Sequence, residues 1–383
     1  MKWFNPDFLI PILTILTISC SQIGAETNKT LSGYNDGPYI LYEGSNATIW
    51  HFQKGSDSSN LISERYSISE LKTKQIEVFP NSNMAPFYIT LFDYIADPDF
   101  VGSPKKTVVI SDIEGNFVDF VNILTASGVM NDDYSWEFGK NHLVFNGDLF
   151  DRGTDVMAVI WLCYKLDYES RKVGGRVHII LGNHEEMNLR GNTKYVDKRY
   201  LDVADQIGVE YKQLFNENTE IGRWLRSKNT ITRLGKTLFV HGGISSEVLD
   251  MGLTSQQINN VVRENLGKNK EDLNETGEII WGNAGPFWFR GLILSDEKYL
   301  PVSSEIIDTI LTYFGADKII VGHCIAPEVT SLHNGRVIAV DVDHPENRDK
   351  GKSRALIITR GSIKGINDSG KRTKLPALNG FLE

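Results

Sequence analysis

Six short polar motifs in the middle of the chain carry residue types that bind divalent cations and phosphate. They are SDIEGN (111–116), NGDLFDRG (146–153), LGNHEE (181–186), VHGG (240–243), FWFRG (287–291) and VGHC (321–324). Together they supply carboxylates, an amide and imidazoles, which are common protein ligands of divalent metal ions. They also supply arginines, whose guanidinium groups match phosphate oxygens. The set predicts a metal-dependent site that hydrolyses phosphate esters.

Most of these motifs end an apolar, β-type run, and neighbouring strands must bring them to one place. The runs are KTVVISD (106–112), HLVFNGD (142–148), RVHIILGN (176–183), TLFVHGG (237–243) and KIIVGH (318–323). Segments 116–128 and 155–166 have helical spacing and lie between the first three runs. Strands that alternate with helices favour an α/β core, with ligands at the carboxyl ends of its strands.

The regions around this core differ in character. Residues 38–100 are rich in strand-forming residues and are predicted to form a small N-terminal β-rich module. The motif-bearing domain is predicted at 104–365, followed by a C-terminal tail at 366–383. Within the domain, residues 193–235 form a longer aromatic and charged insertion, which we expect to be helical and to build one wall of the cleft.

The N-terminus resembles an export signal. Lys2 precedes the apolar run FLIPILTILTIS (8–19), which is too short for a transmembrane helix and suits a secretory signal. Because Cys20 follows it, residues 1–20 are predicted to be a lipoprotein-type signal peptide; ordinary cleavage near Ala25 is the alternative. Residues 21–37 would then be a tether. The expected location is the cell envelope, as a membrane-anchored lipoprotein facing the periplasm or the cell surface.

Charge limits the possible partners. The chain has 40 basic and 49 acidic residues, a net charge of −9. This balance does not support non-specific binding to nucleic acid or to anionic lipid. We therefore expect no nucleic-acid partner and no membrane contact except through the N-terminal anchor. Phosphate must be attracted by local arginines and metal ions.

Residues 104–345 resemble the calcineurin-like metallophosphoesterases. The motifs GDLFDRG (147–153) and GNHE (182–185) carry this resemblance, which extends to the phosphoprotein phosphatase branch. The segments at 222–243 and GPFWFRG (285–291) are especially similar to the bacterial Shewanella-like phosphatases. The resemblance implies a four-layer α/β/β/α sandwich with two divalent metal ions at one edge.

The resemblance also implies a ligand set. Asp112 would bind the first metal ion, Asp148 would bridge both ions, and three residues would complete the second site: Asn183, His241 and His323. A bridging carboxylate holds two cations about 3.5–4 Å apart, where they share a water that attacks phosphorus as hydroxide. Mn²⁺ is the expected ion, with Mg²⁺ or Ca²⁺ as alternatives in the first site and Fe or Zn²⁺ in the second.

Glu114 departs from the family pattern, which has histidine at this position. On an extended segment, Asp112 and Glu114 would project the same way and converge on one ion. The first site would then be all oxygen, formed by Asp112, Glu114 and Asp148. Such a site should prefer Mn²⁺, Mg²⁺ or Ca²⁺ to Zn²⁺. The alternative is that Glu114 faces solvent and the first site is weak or empty.

Four further residues are implied to perform catalysis. His184 would protonate the leaving oxygen, and Asp151 would orient its ring and raise its basicity. Arg152 and Arg290 would hold the phosphate oxygens, although a structural ion pair is the alternative for Arg290.

Three polar residues near the end of a later strand fit the family pattern poorly and are left out of the predicted site: Asp341, Asp343 and His344. His344 is expected at the surface or in a turn.

The predicted function is hydrolysis of phosphate monoesters; the resemblance implies a phosphorylated protein as substrate, with a leaning to phosphotyrosine. One alternative is hydrolysis of nucleotides, dinucleoside polyphosphates or other small phosphate esters. An alternative of another class is a non-catalytic binding protein that has lost the first metal through Glu114.

Overall fold

The computed structural model describes residues 33–55, 58–82 and 84–382. The predicted signal peptide at 1–20, with Cys20, and most of the tether at 21–37 lie outside these residues. Within the described part of the chain, no helix is both long enough and apolar enough to cross a bilayer.

The central strands are short and almost entirely buried, as expected for strands that are covered on both faces. In chain order, the strands of the described residues are β1 (Asp36–Glu43), β2 (Asn46–Lys54), β3 (Ser59–Ser67), β4 (Gln75–Val78), β5 (Phe87–Thr90), β6 (Phe100–Val101), β7 (Lys106–Ile110), β8 (His142–Phe145), β9 (Arg176–Ile179), β10 (Ile231–Leu234), β11 (Thr237–Val240), β12 (Lys318–Val321), β13 (Thr330–Leu332), β14 (Val337–Ala339), β15 (Ala355–Thr359), β16 (Ser362–Ile366) and β17 (Arg372–Thr373).

Several helices begin at a side chain that caps their free backbone N–H groups, as Thr254 and Ser303 do. The α-helices are α1 (Ile68–Leu71), α2 (Phe117–Ala126), α3 (Val156–Lys172), α4 (Asn183–Arg190), α5 (Lys198–Ile207), α6 (Glu220–Arg226), α7 (Ser246–Asp250), α8 (Ser255–Asn265), α9 (Glu275–Trp281), α10 (Ser304–Tyr313) and α11 (His344–Asn347). Short 3₁₀ helices lie at Tyr211–Phe215, Lys270–Asp272, Glu297–Tyr299 and His333–Gly335.

Two six-stranded sheets form the centre of the described structure. Their strand orders are β17-β16-β15-β7-β8-β9 and β13-β14-β12-β11-β10-β6. Strands β7, β8 and β9 are mutually parallel, and so are β11, β12 and β14 in the second sheet. Parallel strands end at the same edge of a sheet. The residues that follow β7 and β8 therefore lie together at the edge of one sheet, and those that follow β11 and β12 lie together at the edge of the other.

The two sheets face each other across an apolar layer. Side chains from both sheets meet there, including Val109, Val144, Phe239, Ile320 and Ile338. Helix α3 packs against β9 on the outer side of one sheet, and α8 packs against β10 on the other. The predicted α/β fold, a four-layer α/β/β/α sandwich, is confirmed.

The N-terminal strands form two small sheets, β1-β2-β3 and β4-β5, while β6 pairs with β10 of a large sheet. Trp161 of α3 donates a hydrogen bond from Nε1 to the carbonyl of Pro38 at 2.9 Å. Glu220 of α6 accepts hydrogen bonds from the hydroxyls of Tyr42 and Tyr164 at 2.5 and 2.6 Å. These buried contacts join the N-terminal strands to the sandwich. The boundaries at 38–100 and 104–365 stay predictions.

Two further segments pack against the same core. The insertion at 193–235 contains α5, a 3₁₀ helix and α6, as predicted, and also strand β10, which was not predicted. In the predicted tail at 366–383, β17 extends a large sheet, and Leu382 donates its N–H to the carbonyl of Ile293 at 2.8 Å.

Candidate metal centre

The predicted motifs meet at one edge of the sandwich, beyond the carboxyl ends of its parallel strands. The cleft there has a volume of about 350 Å³. Eight of the ten predicted site residues line it: Asp112, Glu114, Asp148, Arg152, Asn183, His184, Arg290 and His323. The other two lie directly behind it, where Asp151 contacts His184 and His241 contacts Asp148.

The backbone that presents these side chains is strained. Among the described residues, eleven non-glycine residues have positive φ, and six of them belong to the predicted site: Asp112, Glu114, Asp148, Asp151, Arg152 and His323. Such conformations are costly and tend to persist at functional sites. The expected extended conformation of residues 112–114 is wrong, since Asp112 and Glu114 have φ of 53° and 48°. Both side chains still line the same cleft.

The predicted second site is compact. His241 contacts the carboxylate of Asp148 through Nε2 at 3.1 Å and the amide oxygen of Asn183 at 3.0 Å. Its Nδ1 lies 2.8 Å from the carbonyl of Asn146, so a proton on Nδ1 leaves the Nε2 lone pair free for a ligand. Asp148, His241 and His323 each offer one ligand atom, and these atoms all lie within 4.8 Å of one another.

Two observations indicate that a cation fits this place. The Nε2 atom of His323 is buried and has no hydrogen-bond partner in the described structure, although buried polar atoms are normally satisfied. The backbone also approaches the ligands closely. A Cβ atom at Gly147 would lie 2.3 Å from Nδ1 of His241, and one at Gly182 would lie 2.2 Å from Oδ1 of Asp148. The glycines therefore leave the space in which these ligands converge.

The other side of the cleft is rich in carboxylates. Both carboxylate oxygens of Asp112 lie 3.3 Å from the backbone N–H of His323, which links the two large sheets. Glu114 lies 3.1 Å from the guanidinium of Arg152 and 3.8 Å from Nε2 of His184. One ligand atom each from Glu114, Asp148 and His184 forms a second group within 4.8 Å. Glu114 therefore faces the cleft, whereas its ligation of an ion stays a prediction.

The electrostatics of the cleft show an excess of negative charge. Burial and the charge of Asp341 raise the pKa of Asp112 well above its ordinary value. Burial, with the charges of Asp112 and Asp148, raises the pKa of Glu114 to about 8. Burial opposes ionisation of Asp148 as well, but the histidines His241 and His184 hold its pKa below the ordinary value. Crowded buried carboxylates of this kind are stabilised by a bound cation.

His184 is placed to deliver a proton. Its Nδ1 lies 2.6 Å from Oδ2 of Asp151, and Asn188 donates hydrogen bonds to Asp151 and to the carbonyl of His184. Its Nε2 faces the cleft, 3.8 Å from Oδ2 of Asp148. Burial acts to lower the pKa of His184, but Asp148 and Asp151 outweigh it and raise the pKa to about 9.

Glu185 has a positioning role that the sequence did not reveal. This fully buried carboxylate accepts hydrogen bonds from the backbone N–H groups of Gly182, Asp148 and Leu149 at 2.7, 2.9 and 2.7 Å. It also caps the first turn of α4, as its position at a helix start suggests. The same side chain therefore fixes the loops that carry Asp148 and Asn183.

The mouth of the cleft is formed by cationic and aromatic side chains. Arg152 remains 49% exposed. Arg290 lines the opposite part of the cleft with Trp288. From the 193–235 insertion, Tyr195 lines the cleft with its ring centroid 5.2 Å from that of His184 and 5.5 Å from the guanidinium carbon of Arg152. The insertion thus contributes one wall, as predicted.

The three residues left out of the predicted site, Asp341, Asp343 and His344, all line the cleft. Asp341 lines the cleft and is 4% exposed. The expectation for His344 is wrong, since this residue is 1% exposed and its Nε2 lies 2.9 Å from the carbonyl of Ser111. The sequence signal that could have identified Asp341 is its position directly after the apolar run VIAV (337–340).

Comparisons with known proteins agree with this geometry. The family model for calcineurin-like phosphoesterases matches residues 105–325. The Arabidopsis thaliana Shewanella-like protein phosphatase 2 is 24% identical, over 68% of this chain and 76% of its own length. An uncharacterized Schizosaccharomyces pombe protein is 30% identical, over 64% of this chain and 76% of its own length.

A solved structure extends the comparison to nearly the whole chain. A cold-active protein-tyrosine phosphatase of a psychrophilic Shewanella species is 32% identical, with a TM-score of 0.78 over 88% of this chain and 98% of its own. The family match covers more than half of the chain, and eight of the ten predicted site residues line one cleft. The chain therefore belongs to the calcineurin-like phosphoesterases and is a metal-dependent phosphatase.

Proposed function

We propose that this enzyme is a phosphoprotein phosphatase with a preference for phosphotyrosine. The observation that carries the proposal is the ring of Tyr195, which lies at the cleft mouth beside His184. A phenolic leaving group that receives a proton from His184 would lie next to this ring, where aromatic packing is favourable. The similarity to the Shewanella protein-tyrosine phosphatase and to the Arabidopsis protein phosphatase supports a phosphoprotein substrate.

The side chains of the cleft perform three tasks in this reaction. Arg152 and Arg290 bind phosphate oxygens and offset the charge that develops on them. His184 donates its Nε2 proton to the leaving oxygen, while Asp151 keeps the ring oriented through Nδ1. Glu185 holds the loop of Asp148 in place throughout.

Two divalent cations would be held by the residues around Asp148. Asp112, Glu114 and Asp148 would hold the first, and Asp148, Asn183, His241 and His323 the second. Bound cations of this kind acidify water and stabilise the charge of a transferring phosphoryl group. We propose Mn²⁺ as the ion, because oxygen donors dominate the first site while imidazoles contribute to the second.

We also propose that the protein is exported and anchored through Cys20. The support comes from the apolar run at 8–19 and the cysteine that follows it. Replacing Cys20 with serine should release the protein from membranes in cell fractionation. Unchanged membrane association would contradict the anchor.

A substrate panel tests the function. With Mn²⁺ present, we expect phosphotyrosine peptides to be hydrolysed faster than phosphoserine peptides, nucleotides and dinucleoside polyphosphates. Tyr195→Leu should lower kcat/KM for phosphotyrosine about 3–10-fold and leave phosphoserine turnover little changed, which is the effect of losing one aromatic contact. Tyr313→Leu is the control, since Tyr313 is an exposed aromatic residue on α10, outside the cleft lining.

The outcomes are distinguishable. His184→Ala should lower kcat about 10²–10⁴-fold on every substrate, which excludes a contaminating phosphatase. If nucleotides turn over and all phosphopeptides are untouched, the phosphoprotein assignment fails and the small-ester alternative replaces it. If no substrate is hydrolysed with any divalent ion, the non-catalytic alternative is revived.

A further inference from the structure

We propose that Asp341 is an additional ligand of the first cation site, which then consists of four carboxylates: Asp112, Glu114, Asp148 and Asp341. A site of this composition should select a hard cation such as Mn²⁺ over Zn²⁺. The inference rests on the proposed metal-dependent function and adds one residue and a selectivity to it.

The first argument is the isolation of the Asp341 carboxylate. Asp341 is 4% exposed and lines the cleft together with Asp112 and Glu114. No described residue donates a hydrogen bond to its side chain, although burying an unpaired carboxylate is costly. The charged groups that face it are Asp112, Glu114, Asp148, His241 and Arg152. Neither Asp341 nor Asp112 belongs to the two groups of ligand atoms that lie within 4.8 Å of one another, so these carboxylates must move closer together when an ion binds. The protein therefore leaves this carboxylate in need of a partner within the cleft.

The second argument is the way the fold fixes Asp341. Its carbonyl accepts the N–H of Ala326, and the preceding N–H of Val340 donates to Val321, both at 2.9 Å. His344, three residues later, donates from Nε2 to the carbonyl of Ser111 at 2.9 Å. These contacts join the Asp341 loop to the ends of two strands, the one before His323 and the one before Asp112. The carboxylate is thus held in place at the cleft rather than left on a free loop.

The third argument is the charge balance. His241 contacts Asp148 and Asn183 through Nε2 and forms no ion pair with Asp112, Glu114 or Asp341. Arg152 is half-exposed, and it forms an ion pair with Glu114 at 3.1 Å. One guanidinium cannot neutralise Asp112, Glu114 and Asp341 together. A divalent cation held by several oxygens satisfies this arrangement, and hard oxygen donors suit Mn²⁺, Mg²⁺ or Ca²⁺.

The first test measures metal binding directly. Asp341→Asn keeps the shape of the side chain and removes its charge. After equilibrium dialysis and elemental analysis, we expect the variant to keep the second-site Mn²⁺ and to bind the first about 10–100-fold more weakly, a loss typical of a perturbed metal site. The wild-type preference of the first site for Mn²⁺ over Zn²⁺ should shrink in the variant.

Asp343→Asn is the matched control. Asp343 lies on the same loop and is exposed, and its side chain caps α11, a role that asparagine also performs. This variant should bind two Mn²⁺ ions like the wild type. An equal loss of Mn²⁺ in Asp343→Asn and Asp341→Asn would overturn the assignment, because general cleft charge would then explain both.

Thermal unfolding in EDTA supplies a readout that a merely structural residue would not give. Because Asp341→Asn relieves repulsion between buried carboxylates, the metal-free Tm should rise by about 1–3 °C while the Mn²⁺-induced increase in Tm becomes smaller. A lower metal-free Tm with unchanged Mn²⁺ binding would make Asp341 a structural residue and overturn the proposal. Hydrolysis of phosphotyrosine peptides by the wild-type protein would support the proposed function whether or not Asp341 is a ligand.

Discussion

Two clusters of buried carboxylates in the described structure differ in whether the protein supplies their cationic partners. Asp119 is 1% exposed and accepts hydrogen bonds from Arg348 at 2.9 and 2.7 Å and from Arg354 at 2.8 Å. In the cleft, Glu114 pairs with the half-exposed Arg152, and no described lysine or arginine forms an ion pair with Asp112 or Asp341. The difference indicates that the Asp119 cluster is structural, whereas the cleft is arranged to bind cations from solution.

A second paired cluster supports the same distinction. The side chain of Lys228 is fully buried and lies 2.9 Å from Asp167 and 3.3 Å from Asp97. Arg171 completes the cluster with contacts to both acids. Buried ion pairs of this kind are sensitive to the loss of one partner, because the remaining charge stays buried. We therefore expect mutations in the cleft to lower activity more than stability, and mutations among the paired residues to lower stability more than activity.

The largest expected effect is in the cleft. Asp148→Asn should lower kcat by about 10³-fold or more, because the proposed bridging carboxylate is removed and the cations supply several kcal/mol of transition-state stabilisation. The free energy of unfolding in EDTA should fall only modestly, because His241 and His184 lose an ionised partner while the repulsion between Asp148 and Glu114 is relieved. Steady-state kinetics and urea unfolding check the two statements. A large loss of metal-free stability would break the comparison.

A change in the paired region should affect stability instead. Lys228→Met should lower the free energy of unfolding by about 3–5 kcal/mol, because Asp167 and Asp97 lose a buried partner. Turnover per folded molecule should stay close to wild type. Lys298→Met is the control, since Lys298 forms an exposed ion pair with Asp296 and its loss should hardly change unfolding. Equal effects of the two substitutions would contradict the structural role of Lys228.

The smallest expected effect is a difference in pH dependence. Burial acts to raise the pKa of Asp119, but the hydrogen bonds from Arg348 and the charge of Arg354 hold it below the ordinary value. Its contribution to stability is therefore complete above the unfolded pKa of about 3.9 and is lost as pH falls through the lower folded pKa.

Urea unfolding of wild type and Asp119→Asn in EDTA checks this prediction. The stability difference between the two proteins should be constant from pH 7 to 5 and should shrink below about pH 4. A difference that grows on acidification would mean that Asp119 has a raised pKa, like Glu114 and Asp341 in the cleft, and would remove the contrast between the regions.

Much of the fold and most of the site could be predicted because strands and ligands lie together in the sequence. The run KTVVI (106–110) leads directly to Asp112, and TLFV (237–240) leads to His241. A motif that immediately follows a buried strand must lie at the edge of the sheet, so its position in the fold can be predicted. The α/β core and the position of its site were predicted on this basis, and the family resemblance implied the four-layer sandwich.

The missed features depend on contacts between distant parts of the chain. Asp341 follows β14, but only the pairing of β14 with β12 places it at the cleft. His344 reaches the strand end before Asp112 through one hydrogen bond, which no local pattern indicates. The backbone at Glu114 was expected to be extended, but it has a positive φ. Hydrogen bonds with Asp148 and Gly153 hold this conformation, and both partners lie in another loop that the local sequence does not indicate.

The bond between His344 and Ser111 spans 233 positions of the chain, and it has a consequence for the order of folding. The cleft can be complete only after the last strands have docked on the first ones, so a partly folded chain lacks a finished cation site. Metal affinity then appears together with the final tertiary contacts. A chain that is exported before it folds would acquire its ions from the compartment in which folding ends, and that compartment would decide which metal the phosphatase carries.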